Sequence, residues 1–301
     1  PSKRRIRVAL LDTGVQASHP DICRITLPGI DYLEGNPKDR AGHGTQVAGV
    51  LLQLAPNADL YVGRISETDQ VRSDRVARGV KHAVGKWKVQ VICLALGFIE
   101  YSSTVERGLI LAAAQKSIVI AAAANNGRRS TTYFPARSRY AICARSADHD
   151  GENSKFNPPP ERGLSFAFLG EGITTTCIHR AQENGDGLLN EDWKRRRGLD
   201  GPWKRFGGTS AAAAVASAIT VQIMHYGYQW KPETENGHWS EPLQSLESQA
   251  GIEHVFKAMH HKPELLKLPT SEQAFAVPGK VLSKRDTLTK LKAALDSATL
   301  G

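Results

Sequence analysis

Apolar residues recur along this chain in two alternating rhythms. Residues 6–11, Ile-Arg-Val-Ala-Leu-Leu, form a nearly unbroken apolar run that ends at Asp12. Such a run predicts a strand covered on both faces. Beyond His43 the spacing changes: Val47, Ala48, Leu51 and Leu52 fall on one helical stripe, and Pro56 marks its end. The pattern then repeats. Strands are predicted at 60–65, 89–96, 118–124 and 140–147, and helices at 73–87 and 103–116. Residues 148–205 carry no clear period and read as surface loop. Residues 210–224 are small and apolar on every side, which predicts a helix buried within the fold. Two further helices are expected, at 252–259 and 286–300.

Strands alternating with helices argue for an α/β fold, a doubly wound and mostly parallel sheet with helices on both faces. In such sheets chemistry collects beyond the carboxyl ends of the strands. Asp12 and Asn125 both fall at such ends. No repeat or linker divides the chain, so 1–301 is expected to form a single domain, with its core at about 6–225 and residues 226–301 an extension packed on it.

Composition narrows the classes. With 301 residues, 41% hydrophobic and 23% charged, the chain suits a packed globular protein. No apolar stretch approaches the roughly 18 residues of a membrane span. The net charge of +9 favours acidic partners, yet the charges are scattered apart from Lys194-Arg195-Arg196-Arg197, and no nucleic-acid motif accompanies them. That run reads as a solvated loop, and neither nucleic acid nor membrane is expected as a partner. Residues 183–187 resemble half of a calcium loop but lack its alternating ligands, so a plain turn is expected. Cys23, Cys93, Cys143 and Cys177 form no CxxC pair. They predict thiols rather than disulfides or a zinc site, which points to an intracellular protein. Pro1 in place of Met reads as a cut start, which leaves secretion open.

Three segments carry candidate chemistry: Leu-Leu-Asp12-Thr-Gly, Gly-His43-Gly-Thr and Gly-Gly-Thr-Ser210-Ala. Acyl transfer by serine needs an alcohol, a base to take its proton and an acid to orient the base. Any one of these residues alone would read as a cap, a solvated imidazole or a turn former. Together they point to catalysis.

With these segments the chain resembles the subtilases, the subtilisin-like serine proteases, whose triad runs in the order Asp, His, Ser. The flanks agree: Val-Ala-Leu-Leu-Asp12-Thr-Gly-Val with His19-Pro20-Asp21, His43-Gly-Thr-Gln-Val-Ala-Gly, Ala-Ala-Ala-Ala-Asn125-Asn-Gly, and Gly-Thr-Ser210. The resemblance spans about residues 6–225. It implies a serine endopeptidase acting on proteins or peptides, with Asp12, His43 and Ser210 catalytic, and with no cofactor or metal in the chemistry. It implies that Asn125 donates to the oxyanion, with Asn126 a turn residue. It also implies that Ala95, Leu96, Gly97, Ala122, Ala123 and Ala124 bind substrate. His19 is expected to be structural.

The chain departs from the family pattern in four places. Gln46 stands where a second histidine is usual, and Ala211–Ala214 replace Met-Ala-x-Pro after the serine. Ala124 replaces a glycine, and Ala95 a serine. The Asn-Pro-Pro-Pro segment at 157–160 and the tail resemble intracellular fungal members, some of them effector domains of larger proteins. The rival readings follow from these departures. A regulated or catalytically impaired effector domain is the alternative function. An α/β-hydrolase is excluded by the chain order and the missing G-x-S-x-G, and a dehydrogenase by the missing G-x-G-x-x-G.

Overall fold

The computed structural model describes residues 5–23, 30–31, 38–68, 70–127, 131–159, 165–178, 203–229, 244–259 and 274–275. Strands β1 (Arg7–Asp12), β2 (Ile30–Asp31), β3 (Asp59–Arg64), β4 (Val91–Leu94), β5 (Ile118–Ala122), β6 (Ile142–Ala147), β7 (Ser165–Leu169) and β10 (Ala274–Phe275) form one sheet. Its order is β10-β7-β6-β5-β4-β1-β3-β2, and its pairs are parallel. A ribbon of β8 (Ile173–Thr176) and β9 (Trp203–Phe206) is antiparallel. The strand order turns back at β1, which lies between β3 and β4. The carboxyl ends of β1 and β4 therefore flank the switch point of the sheet, the place where chemistry collects in open α/β sheets.

The helices are α1 (His43–Leu54), α2 (Ser73–His82), α3 (Ser103–Ala114), α4 (Thr209–Gln229) and α5 (Gln249–Ala258). Alternate residues along each strand feed two cores. Leu10, Cys93, Ile120 and Ala122 join α1, α4 and α5 on one face; Leu11, Leu94, Ala121 and Ala123 join α2 and α3 on the other. In α5, Phe256 stacks edge-on against Phe166 and Phe168 at 5.3 and 5.0 Å. Leu246, Ile252, Val255, Phe256 and Met259 thus contribute to the first core. The helix expected to reach residue 87 keeps its α form only to His82; a π turn, Ala83–Trp87, carries it on to Lys88, whose φ of 50° ends it.

Residues 148–205 were expected to be loop, and the structure corrects this. The segment contains β7, β8 and the start of β9. β7 is a central strand with Phe166 and Phe168 buried. β8 is polar, yet Thr175 and Thr176 are fully buried because their hydroxyls donate to the carbonyls of Gln46 and Thr45 at 2.8 and 2.6 Å. Asn157 is buried too: its side chain accepts from Ser146 N at 2.9 Å and donates to Ser146 O at 2.6 Å, pairing with β6 as a neighbouring strand would. The basic run 194–197, the turn at 183–187 and the helix expected at 286–300 lie outside the described residues.

The four cysteines are thiols, with Cys93 and Cys143 buried in β4 and β6. Burial pushes the Cys93 thiol up to about 12, so it behaves as an apolar side chain. Among the described residues no helix is long and apolar enough to cross a membrane.

Candidate active site

Asp12 ends β1 with its side chain 2% exposed. Its Oδ1 accepts from Thr13 N at 2.7 Å and meets His43 Nδ1 at 2.7 Å. Its Oδ2 is buried without a hydrogen-bond partner among the described residues. A buried carboxylate with one unpaired oxygen is costly and is seldom retained without a use. The ring of Phe206, at the end of β9, meets the His43 ring edge-on at 5.8 Å.

A second aspartate, which the sequence reading did not single out, sets the position of His43. Asp39 is buried. Its Oδ1 accepts from Thr13 Oγ1, Ala41 N and Gly42 N, and its Oδ2 from Thr45 N and Thr45 Oγ1, all within 3.0 Å. It thereby satisfies amides at the start of α1, which would otherwise be orphaned. Thr13 Oγ1 accepts in turn from Gly44 N at 2.9 Å. The end of β1 and the start of α1 thus close on each other so tightly that a Cβ on Gly44 would stand 2.1 Å from Gly14 O. The signal in the sequence was an aspartate four residues before His43, a capping residue at a helix start.

Ser210 is the second residue of α4. Its Oγ donates to Ala95 O, just past β4, at 2.9 Å. Its own amide lies among the first-turn N–H groups that have no acceptor within the helix. Asn125 stands beside it: Asn125 Oδ1 accepts from Thr209 N at 2.8 Å, which turns the NH₂ end away from the helix. Gly208, at φ 101°, permits this approach, since a Cβ there would lie 3.0 Å from Asn125 Nδ2. Asn126 turns elsewhere, to the hydroxyl of Tyr133.

β1 and α1 thus bring Asp12 to His43, and the end of β5 and the start of α4 bring Asn125 beside the helix turn that holds Ser210, past the carboxyl ends of the paired strands β1, β4 and β5. Of the six residues expected to bind substrate, Ala95 and Ala122 point into the α1/α4 core and Ala123 into the α2/α3 core. What these three can offer a substrate is main chain. Ala124 is buried with φ at 127°, a region that penalises any side chain. His19 is buried; its Nδ1 accepts from Asp21 N at 3.1 Å, and its ring meets Trp203 edge-on. Gln46, in place of the second histidine, is buried in α1.

A family model described as the subtilase family matches residues 3–256. The chain is 25% identical to a subtilisin-like protease, het-Q2, of Podospora anserina, over 85% of this chain and 80% of that protein. It is 34% identical to a thermostable alkaline protease of Halalkalibacterium halodurans, over 56% of this chain but only 49% of that protein, so it spans about half of that relative's length. Among solved structures, the protease domain of PatA shares the fold, with a TM-score of 0.70 and 19% identity over 96% of this chain and 95% of that one.

Proposed function

The chain belongs to the subtilase family and is a serine endopeptidase, and from that premise we propose that its chemistry runs through Asp12, His43 and Ser210. The observation that carries the reading is the 2.7 Å contact of His43 Nδ1 with a buried Asp12 at the end of β1, the strand paired with β4, just past which Ala95 O accepts from Ser210 Oγ. Asp12 holds the imidazole in the tautomer that leaves Nε2 able to accept a proton. Ser210 Oγ leaves the Ala95 carbonyl by rotation about χ1, passes its proton to His43 and attacks the scissile carbonyl carbon. The carbonyl oxygen becomes an oxyanion between Asn125 Nδ2 and the Ser210 amide. His43, now an imidazolium facing Asp12, gives its proton to the leaving amine. Water repeats the sequence on the acyl-enzyme and frees Ser210.

The substrates proposed are proteins or peptides. An intracellular location is proposed from the four thiols. A fluorophosphonate probe tests the mechanism directly, because it labels an activated serine. Labelling of the native chain that is lost in Ser210→Ala is expected; an unlabelled folded chain would overturn the reading. Activity should fall on the acid side of neutrality, where a histidine base takes up its proton.

A further inference from the structure

Two segments bound the space beside Ser210: residues 95–97, just past β4, and residues 122–124, at the end of β5. Tyr133 stands between them. Its N–H donates to Ala123 O at 2.8 Å, on one wall. Its Cβ presses on the other wall, since a Cβ on Gly97 would lie only 2.8 Å from Tyr133 Cβ and 3.5 Å from Cδ2. The far end of the side chain, the hydroxyl, meets the amide of Asn126, the residue after the proposed oxyanion donor. The phenol ring therefore spans from Gly97 to Asn126 beside the proposed nucleophile.

The segment that carries the ring is fixed. Phe98 and Phe134 exchange both backbone hydrogen bonds, at 2.8 and 2.9 Å. Their rings pack at 5.7 Å, and Tyr101 adds a third ring at 5.2 Å from Phe134. Tyr133 thus has an anchored backbone, a packed Cβ and a tethered hydroxyl.

We propose that Tyr133 is a specificity-determining residue: its ring fills the space in which the side chain preceding the scissile bond would lie, so the enzyme cleaves after small residues such as Ala, Ser or Gly rather than after aromatic ones. The proposal rests on the Ser210 reading given above. A benzyl side chain entering between the two walls would have to displace the ring, breaking its tether to Asn126 and its packing on Gly97. A methyl group makes neither demand. The Ala124 methyl, which is buried, is the lesser obstacle.

The test uses fluorogenic peptides that differ only in Ala or Phe at the position before the cleaved bond, on the native chain, Tyr133→Ala and Tyr133→Phe. Fluorophosphonate labelling of Ser210 checks fold and nucleophile in each. The native enzyme is expected to favour Ala over Phe by at least about tenfold in kcat/KM. That ratio should fall about tenfold or more in Tyr133→Ala, and by less in Tyr133→Phe, which keeps the ring and loses only the tether. If Tyr133→Ala does not label, Tyr133→Leu, which keeps contact with Gly97, is read in its place. A labelled native enzyme that prefers Phe overturns the proposal, as does a labelled variant that keeps the native ratio. A folded native chain that does not label overturns the Ser210 reading and this proposal with it.

Discussion

Helices α1 and α4 meet the sheet from one side, and α2 and α3 from the other. Within α1, residues 44–52 are buried around the whole circumference, and in α4 so are residues 211–221. In α2 and α3 one stripe is buried while Asp74, Arg78, Arg107 and Ile110 face water. The difference lies in what covers each pair. The outer surface of α1 is covered by β8, and α4 packs beside α1 on β4, β5, β6 and β7. Small residues make this possible: Gly49 lets β8 approach, and Ala211–Ala214 let α4 lie against β4, β5 and β6. The covered pair carries His43 and Ser210 at its amino ends, and the solvent-facing pair carries none of the site. Precision in this molecule follows from enclosure on all sides, which an amphipathic helix does not have.

Matched serines break the comparison most sharply. Ser210→Ala, at the start of the enclosed α4, should lower kcat by about 10⁶, a magnitude known from a subtilisin. Ser102→Ala, at the N-cap of the solvent-facing α3, removes a weak 3.5 Å cap to Val105 N. It should cost about 0.5–1 kcal/mol and leave kcat alone. Steady-state kinetics and urea unfolding on both variants check this.

Adjacent asparagines come next. Asn125 is bound to the first residue of α4, and Asn126 to Tyr133. Asn125→Ala should lower kcat by about 10²–10³ with little change in KM, again a subtilisin magnitude. Asn126→Ala should change kcat by less than about tenfold on a peptide with Ala before the cleaved bond. A kcat defect confined to Asn126→Ala would exclude Asn125 as the donor.

Two glycines test enclosure itself. A Cβ on Gly49 would stand 2.2 and 2.4 Å from the Thr176 and Thr175 hydroxyls, whereas one on Gly85 meets nothing within 4 Å. Gly49→Ala should destabilise by roughly 1–3 kcal/mol and lower activity as α1 shifts. Gly85→Ala should stabilise by about 0.4–1 kcal/mol through the unfolded chain. Equal effects in thermal unfolding would contradict the contrast. A gain of about 1 kcal/mol is expected from Ala124→Gly, since relief of φ 127° exceeds glycine's entropic cost.

The least effect belongs to the exposed side. Desolvation, with Lys86 nearby, lowers the His82 pKa from its usual value. The unfolded chain therefore takes up this proton more readily than the folded one, and stability declines as pH falls through about 6.5. His82→Gln should flatten that decline in unfolding measured between pH 7 and 5.

The strands and helices up to residue 147, the two-residue β2 apart, were legible because apolar residues make up most of what they bury. β8 was not, because Thr175 and Thr176 are buried through hydroxyls bonded to α1 carbonyls, a partnership no local pattern announces. β9, Trp-Lys-Arg-Phe, has Lys204 and Arg205 exposed and reads as a continuation of the charged stretch before it. Asp12, His43, Asn125 and Ser210 were legible from their flanking residues. The bonds of Asp39 and the contacts behind the proposal for Tyr133 were not, because each involves residues that only the folded chain brings near.

The order in which the chain is made bears on the interval between synthesis and activity. Asp12 and His43 are 31 residues apart, but Ser210 must reach back 115 residues to Ala95. Its helix is lined by β4, β5, β6 and β7, so it has no complete seat until those strands have paired. Parallel pairings of such long range form slowly. A ribosome-bound chain thus carries the proposed acid and base early and seats the proposed nucleophile only when most of the sheet exists. A chain still folding would therefore lack the proposed means of cutting its own open segments.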